Sequence, residues 1–391
     1  MTDLESKLDS KMNFALDEEL VMIRDAAREF ADNELVPRAT GHDREEAIEP
    51  AVFEMLSELG FWGLTIPEAH GGSEMGNVAL AVLLEELNRG CAATGVTVSV
   101  HSSLVCSPIL KWGTEDQKAK WLPRLASGEL IGAYSLSEAG SGSDAAALSA
   151  TAVKDGDEWV LNGTKMWVTT GDRAGLVLAY VRTNHDVPNA KGITAFLVPT
   201  DTPGFRVGKH EKKTGLRGSA TTEIIFENLR LAEDAVLGEV DRGFPIAMDT
   251  LDGGRIGIGA QAVGIGQACL DASIKYAGER EQFGKPIGAF QAIQFKLADM
   301  SARLDAARLM VHRAAWLRDR GESCNREAAQ AKLLSSVAAN FCADECLQIH
   351  GGAGYTDDFH VERLFRDARI TEIYEGATDI QRIVIARSLL K

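Results

Sequence analysis

The stretch Thr151-Ala-Val-Lys-Asp-Gly-Asp-Glu-Trp-Val-Leu-Asn-Gly-Thr-Lys-Met-Trp-Val-Thr169 decides how the rest of the chain is read. It follows Gly140-Ser-Gly-Ser-Asp-Ala145, which matches the Gly-x-Gly-x-x-Gly/Ala fingerprint of dinucleotide-binding folds, with Asp157 and Glu158 at a suitable distance. That fingerprint requires a crossover helix directly after the glycines. Residues 151–169 instead carry Asp155-Gly156 and Asn162-Gly163, both turn dipeptides, between segments rich in Val, Thr and Trp. The pattern is a β meander, so a Rossmann domain is rejected. The glycines and hydroxyls of 140–143 remain a place where backbone N–H groups can approach a ligand closely.

Outward from this stretch the pattern changes in both directions. Short β-type segments and turn signals, including Pro203-Gly204, continue to about residue 235. Before them, apolar positions Leu20, Ile23, Ala27 and Phe30 recur at helical steps from Asp17, a candidate N-cap, and similar patterns cover 48–60 and 77–92. After them, long alanine-rich amphipathic stretches near 244–278, 288–320 and 325–349 predict helices. The expected class is a multidomain α+β protein: a helical domain at 1–129, an antiparallel β domain at 130–236 and a second helical domain at 237–391.

A chain of 391 residues exceeds what one hydrophobic core supports, which agrees with several domains. The net charge of −16 argues against a general nucleic-acid binder, because phosphate neutralisation needs a basic face. The six cysteines form no Cys-x-x-Cys pair and are expected to be buried free thiols; eight scattered histidines predict no metal site. No uninterrupted apolar run reaches about 18 residues, so no membrane-spanning helix is expected. The N-terminal segment lacks a signal peptide's apolar core, which points to a reducing compartment.

Chemistry concentrates near the end of the chain, in Ile373-Tyr-Glu-Gly-Ala-Thr-Asp-Ile-Gln-Arg382. Thr378 and Gln381 have capping-box spacing ahead of Ile380, Ile383 and Val384, so a helix should begin near Thr378 with Glu375 in the turn before it. Glu375 is the candidate catalytic base. Four further segments mix glycine, hydroxyl, amide and aromatic residues: Tyr134 to Ser143, Lys165 to Thr169, Arg280 to Gly284, and Gln348 to Tyr355. Each has a plain structural reading when taken alone. Trp167 can be a core residue, Arg280 a solvated helix-end charge, and Gly351-Gly352 a helix C-cap.

Taken together and in order, these segments resemble the acyl-CoA dehydrogenase family from about residue 17 onward, carried by Ala133-Tyr-Ser-Leu-Ser-Glu-Ala-Gly-Ser-Gly-Ser-Asp144, by Gln348 to Tyr355 and by Tyr374-Glu375-Gly376. Ala139 departs from the pattern, where proline is common. The resemblance is strongest to short-chain and short/branched-chain members, in residues 90–104 and 251–258. It implies an N-terminal helical domain, a central antiparallel β-barrel domain and a C-terminal four-helix bundle, in a homotetramer holding FAD at subunit interfaces.

The resemblance also implies roles. Tyr134, Leu136, Ser137, Gly142, Ser143, Trp167, Val168 and Thr169 would line the flavin. Arg280, Phe283, Gln291, Gln348, Gly351 and Gly352 would hold the pyrophosphate and adenosine part across a subunit boundary. Ala377, Thr378 and Asp379 would meet FAD at a helix start. Ser143, Asp252, Gly253, Gly254, Arg255 and Gly376 would face the acyl-CoA. Glu375 would take the α proton, its backbone N–H would polarise the thioester carbonyl, and flavin N5 would accept the β hydride. One branch of the family carries its base at the position of Gly254, which has no carboxylate. This leaves Glu375 and argues against isovaleryl-CoA and long-chain specialists.

An electron-transferring flavoprotein is the expected acceptor. A flavin oxidase on the same fold is the alternative, against which the chain's length speaks; a silent acyl-CoA-binding module is opposed by the retained Glu375. The expected compartment is a bacterial cytoplasm, or a mitochondrial matrix after removal of a transit peptide.

Overall fold

The computed structural model describes residues 14–187 and 190–390. The N-terminal region is helical: α1 Glu18–Phe30, α2 Val36–Glu45, α3 Pro50–Glu58, α4 Gly76–Gly90, α5 Ala92–Ser99, α6 Ser107–Trp112 and α7 Glu115–Ala126. The Asp17 side chain accepts from the Leu20 N–H at 2.9 Å and caps α1 as expected. Helices α5 and α6 are joined by a wider π-type stretch, Val100–Cys106, so residues 92–112 run as one helix. By length and composition that helix could cross a membrane, although it contains no uninterrupted apolar run of that length. Its apolar window is 89% buried inside the protein, which makes it a core helix. Small polar residues such as Thr94, Ser99 and Ser102 interrupt the apolar run and are themselves buried.

The central region holds β1 Gly132–Ser135, β2 Thr151–Asp155, β3 Glu158–Thr169, β4 Leu176–Arg182, β5 Ile193–Pro199, β6 Phe205–His210, β7 Thr221–Ala232 and β8 Val236–Leu237. The sheet runs β6-β7-β3-β2-β4-β5-β8, mostly antiparallel, with β1 parallel to β4. No crossover helix follows the glycines at 140 and 142; a single short turn, Ala145–Ala147, leads into β2. Asp155-Gly156 makes the β2–β3 hairpin, where Asp155 pairs with Glu158. Asn162-Gly163 does not make a turn. It lies inside β3 at a register shift against β7, and Gly163 is required there because a Cβ would come within 2.5 Å of the Ala150 Cβ.

Strands β4 and β5 are apolar on both faces because both faces are covered. Leu176, Leu178 and Tyr180 pack with Val105, Ile109 and Leu122 of the helical region, whereas Val177, Ala179 and Val181 pack with Phe196, Phe226 and Leu231 inside the sheet. This interleaving fixes the β domain against α5–α7.

The C-terminal region comprises α8 Gly243–Glu279, a small hairpin of β9 Glu281–Gln282 and β10 Lys285–Pro286, α9 Gln291–Asp319, α10 Asn325–His350, α11 Val361–Arg369 and α12 Thr378–Leu389. Its glycines allow close helix packing: a Cβ on Gly264 would lie 2.2 Å from the Glu85 carbonyl of α4, and one on Gly257 would lie 2.3 Å from Ser99 Oγ. All six cysteines are free and buried.

Candidate functional site

The turn between α11 and α12 is the centre of the site. Glu375 and Gly376 adopt consecutive left-handed conformations, with φ of 49° and 93°. A non-glycine residue there is strained and persists only when its surroundings impose it. Three groups do so. The buried Gln381 amide donates to the Gly376 carbonyl at 2.7 Å and to the Glu375 carbonyl at 3.3 Å. Lys332 of α10 donates to the Gly376 carbonyl at 2.8 Å. The Tyr374 hydroxyl bonds Gln261 of α8.

The expected capping box does not form. Ala377 is the N-cap, Thr378 is the first helical residue, and its hydroxyl turns back to the Glu372 carbonyl at 3.2 Å. Gln381 is directed inward instead, its Nε2 donating to the two turn carbonyls while its Oε1 is buried with no partner among the described residues. The helix begins where the spacing placed it, for a different reason.

Glu375 as a residue is half-buried, but its Oε2 is sealed from solvent and has no hydrogen-bond partner among the described residues. Burial pushes this carboxyl up to about 7, with Lys332 and Arg255 pulling in the opposite direction. Directly beside it lies α8: a Cβ on Gly254 would come within 2.2 Å of Glu375 Oε2 and 2.8 Å of Leu104 Cδ2. Arg255 is bound to Asp252 at 2.5 Å, and Asp252 also accepts from Asn325 at 2.9 Å. Gly254 and Arg255 thereby lie beside the turn, whereas a Cβ on Gly253 would meet Arg318 of α9 at 3.3 Å and Asp252 turns to Arg255 and Asn325. The backbone N–H of Glu375 donates to no group among the described residues.

A second wall comes from the β domain. Tyr134 on β1 carries a buried hydroxyl without a hydrogen-bond partner among the described residues, and the neighbouring Ser135 hydroxyl is likewise unpartnered among them. Leu136 is buried, Ser137 half-buried, and Gly142 and Ser143 exposed. A Cβ on Gly140 or Gly142 would meet nothing within 4 Å, so this loop faces open space. On β3, Trp167 is 52% exposed with φ of 57°, at the register shift between Lys165 and Val168. It is therefore a presented ring rather than a core residue, flanked by buried Val168 and half-buried Thr169.

Two residues not singled out from sequence hold this wall together. Lys165 Nζ is fully buried and binds Glu138 at 2.7 Å and the Leu136 carbonyl at 3.1 Å. Glu138 also accepts from Ser149 and the Ala150 N–H, and Met166 N–H donates to the Ser137 carbonyl. Both residues stood inside quoted segments. A lysine and a glutamate 27 positions apart give no local signal of pairing.

The remaining site candidates form a separate group. Arg280, Gln291, Gln348, Gly351 and Gly352 are exposed, and Phe283, with φ of 53°, is 94% exposed at the tip of the β9–β10 hairpin. Tyr276 and His350 stack at 4.2 Å, which joins the C-terminal ends of α8 and α10 and gathers these residues at one end of the bundle. Gly351, with φ of 59°, is also the C-cap of α10. Along the unbroken α8, Arg280 lies about 39 Å from Gly254, at 1.5 Å per residue. One chain does not bring this group to Glu375.

The residues present fit a flavin cofactor: an open glycine loop, a presented indole, unpartnered buried hydroxyls and the free N–H groups at the start of α12. Comparison with known proteins agrees. The acyl-CoA dehydrogenase N-terminal, middle and C-terminal domain models match residues 17–129, 133–229 and 241–390. The mitochondrial short-chain specific acyl-CoA dehydrogenase of Bos taurus is 49% identical over 95% of this chain and 90% of its own length. Butyryl-CoA dehydrogenase from Megasphaera elsdenii superposes with a TM-score of 0.96 at 38% identity, covering 97% of this chain and 100% of the other. A glutaryl-CoA dehydrogenase from Mycobacterium smegmatis, solved in complex with FADH2, superposes with a TM-score of 0.90 at 32% identity, covering 96% and 95%. The chain belongs to the acyl-CoA dehydrogenase family, flavoprotein oxidoreductases of fatty acid metabolism that act on CH–CH groups.

Proposed function

We propose that this enzyme desaturates a short or short-branched acyl-CoA to the trans-2-enoyl-CoA, with Glu375 as the base for the α proton. The observation that carries this reading is the Glu375 carboxylate oxygen, buried without a hydrogen-bond partner and held in a left-handed turn against Gly254. A carboxylate with nothing to bind is kept basic, and burial places its ionisation near neutrality. The thioester carbonyl would accept from the free Glu375 N–H, a donor of the kind worth about 3–4 kcal/mol in an oxyanion hole. Arg255, neutralised by Asp252, would face the acyl-CoA without adding net charge beside the base. Ser143, exposed at the end of the glycine loop, would meet the CoA portion.

FAD, when bound, supplies the acceptor for the β hydride. Tyr134, Leu136, Ser137, Gly142, Ser143 and Trp167 to Thr169 would hold its ring, and Ala377, Thr378 and Asp379 would meet it at the start of α12. Arg280, Phe283, Gln291, Gln348, Gly351 and Gly352 would hold the far end of a cofactor bound to another subunit, because their own Glu375 lies at the opposite end of α8. Exposed Trp316, Leu334 and Val337 on the bundle helices suit the subunit contact this requires, within the homotetramer that the family resemblance implies. Electrons would leave to an electron-transferring flavoprotein, in a bacterial cytoplasm or a mitochondrial matrix.

The test is anaerobic bleaching of the flavin by acyl-CoAs of graded length. Butyryl-CoA or 2-methylbutyryl-CoA should bleach fastest. A protein that takes up no FAD, or one bleached only by long-chain substrates, would contradict the reading.

A further inference from the structure

Lys332 is fully buried in the alanine-rich middle of α10, between buried Ala328, Ala331 and Ser335. A lysine is rarely buried without a partner. Its one hydrogen bond in the structure runs to the Gly376 carbonyl at 2.8 Å, and it makes no close ion pair among the described residues. The groups that face it are Glu375 and Glu372 of the turn, whose charges favour its protonation, and Arg255 of α8, which opposes it. Glu375 in turn is faced by Lys332 from α10, by the Arg255–Asp252 pair from α8, by Tyr374 in its own turn and by Tyr134 from β1. Since Arg255 is already bound to Asp252, Lys332 is, among the described residues, the cation left to compensate the base.

We propose that Lys332 is a positioning residue for the reaction: its ammonium group pins the strained Glu375-Gly376 turn through the Gly376 carbonyl and keeps the Glu375 carboxylate ionised in a site that otherwise disfavours charge. The inference rests on Glu375 being the base. Burial pushes Lys332 down to about 8 and Glu375 up to about 7, so both are charged together between those values. Below that range Glu375 is protonated and cannot accept the α proton. Above it Lys332 loses its charge but can still donate to Gly376.

The experiment follows the rate of anaerobic flavin reduction by butyryl-CoA from pH 5.5 to 9 in FAD-loaded wild type, Lys332→Met, Lys332→Arg and Glu375→Gln. Lys332→Met should move the midpoint of the acidic limb up by at least about one pH unit, so that the rate falls about tenfold more at pH 6.5 than at pH 9. Lys332→Arg, which keeps the charge, should bring the midpoint back toward that of wild type. An unchanged midpoint in Lys332→Met would overturn the proposal. If Lys332→Met does not retain FAD, Lys332→Gln replaces it, since the amide can donate to Gly376 without a charge. Loss of FAD there too would mark the lysine as purely structural and also overturn the proposal. Glu375→Gln separates the two layers: undiminished bleaching by it removes the base assignment, whereas its silence with an unshifted Lys332→Met profile removes only the role of Lys332.

Discussion

Gly254 and Glu375 share one space: a Cβ added to the glycine would lie 2.2 Å from the carboxylate oxygen of the glutamate. Helix α8 and the turn that carries the candidate base are therefore fitted to each other at a point where only a hydrogen atom fits.

Gly254→Ala should accordingly displace Glu375 or Leu104. Overpacking of this kind costs about 1–3 kcal/mol, so a lower thermal midpoint is expected. Anaerobic reduction by butyryl-CoA should slow by more than tenfold with FAD still bound. A variant with wild-type kinetics would mean that the carboxylate can leave this position without loss.

The glycine's position was legible only through family resemblance, as helix patterning gives no reason to single out one of several glycines in α8. Glu375 was legible as a carboxylate before a helix start, because Ile380, Ile383 and Val384 announce that helix. The reason the helix starts there was not, since Thr378 and Gln381 satisfy turn carbonyls instead of capping each other. Asn162-Gly163 was misread as a turn for a related reason: a glycine needed for close approach to Ala150 has the same sequence signature as one needed for a turn. Lys332 was invisible. A lysine on an amphipathic helix reads as solvated until the packing of α10 against the terminal turn is known.

The β-domain wall depends on a buried ion pair. Lys165 is pushed down to about 8 by its burial, with Glu138 holding it up. Removing one partner of such a pair costs about 3–5 kcal/mol, so Lys165→Met should be strongly destabilised and should lose FAD on dilution. Lys165→Met combined with Glu138→Gln should recover part of the stability. Equal stability of the single variant and wild type in a denaturant titration would contradict this account.

Trp167 separates stability from cofactor retention. Because the ring is exposed, Trp167→Ala should change the apoprotein's stability by no more than about 0.5 kcal/mol. FAD affinity should nevertheless fall. Unaltered affinity would show that the ring is not part of the flavin site.

Glu375 also predicts a pH dependence of stability. Its folded-state ionisation lies above the ordinary carboxylate range, so its contribution to stability is present at low pH and is lost as pH rises through about 7. Glu375→Gln is neutral throughout. Its thermal midpoint relative to wild type should therefore be higher at pH 8.5 than at pH 5, and a difference independent of pH would mean that the carboxyl is not desolvated.

The most direct measurement is anaerobic flavin reduction by butyryl-CoA in Glu375→Gln loaded with FAD. The amide keeps the shape of the side chain and removes its ability to accept a proton. The account predicts a yellow protein that binds butyryl-CoA and fails to bleach, with a rate at least about a thousandfold below wild type, within the range that general-base catalysis contributes. Bleaching at the wild-type rate would place the base elsewhere and contradict the central claim.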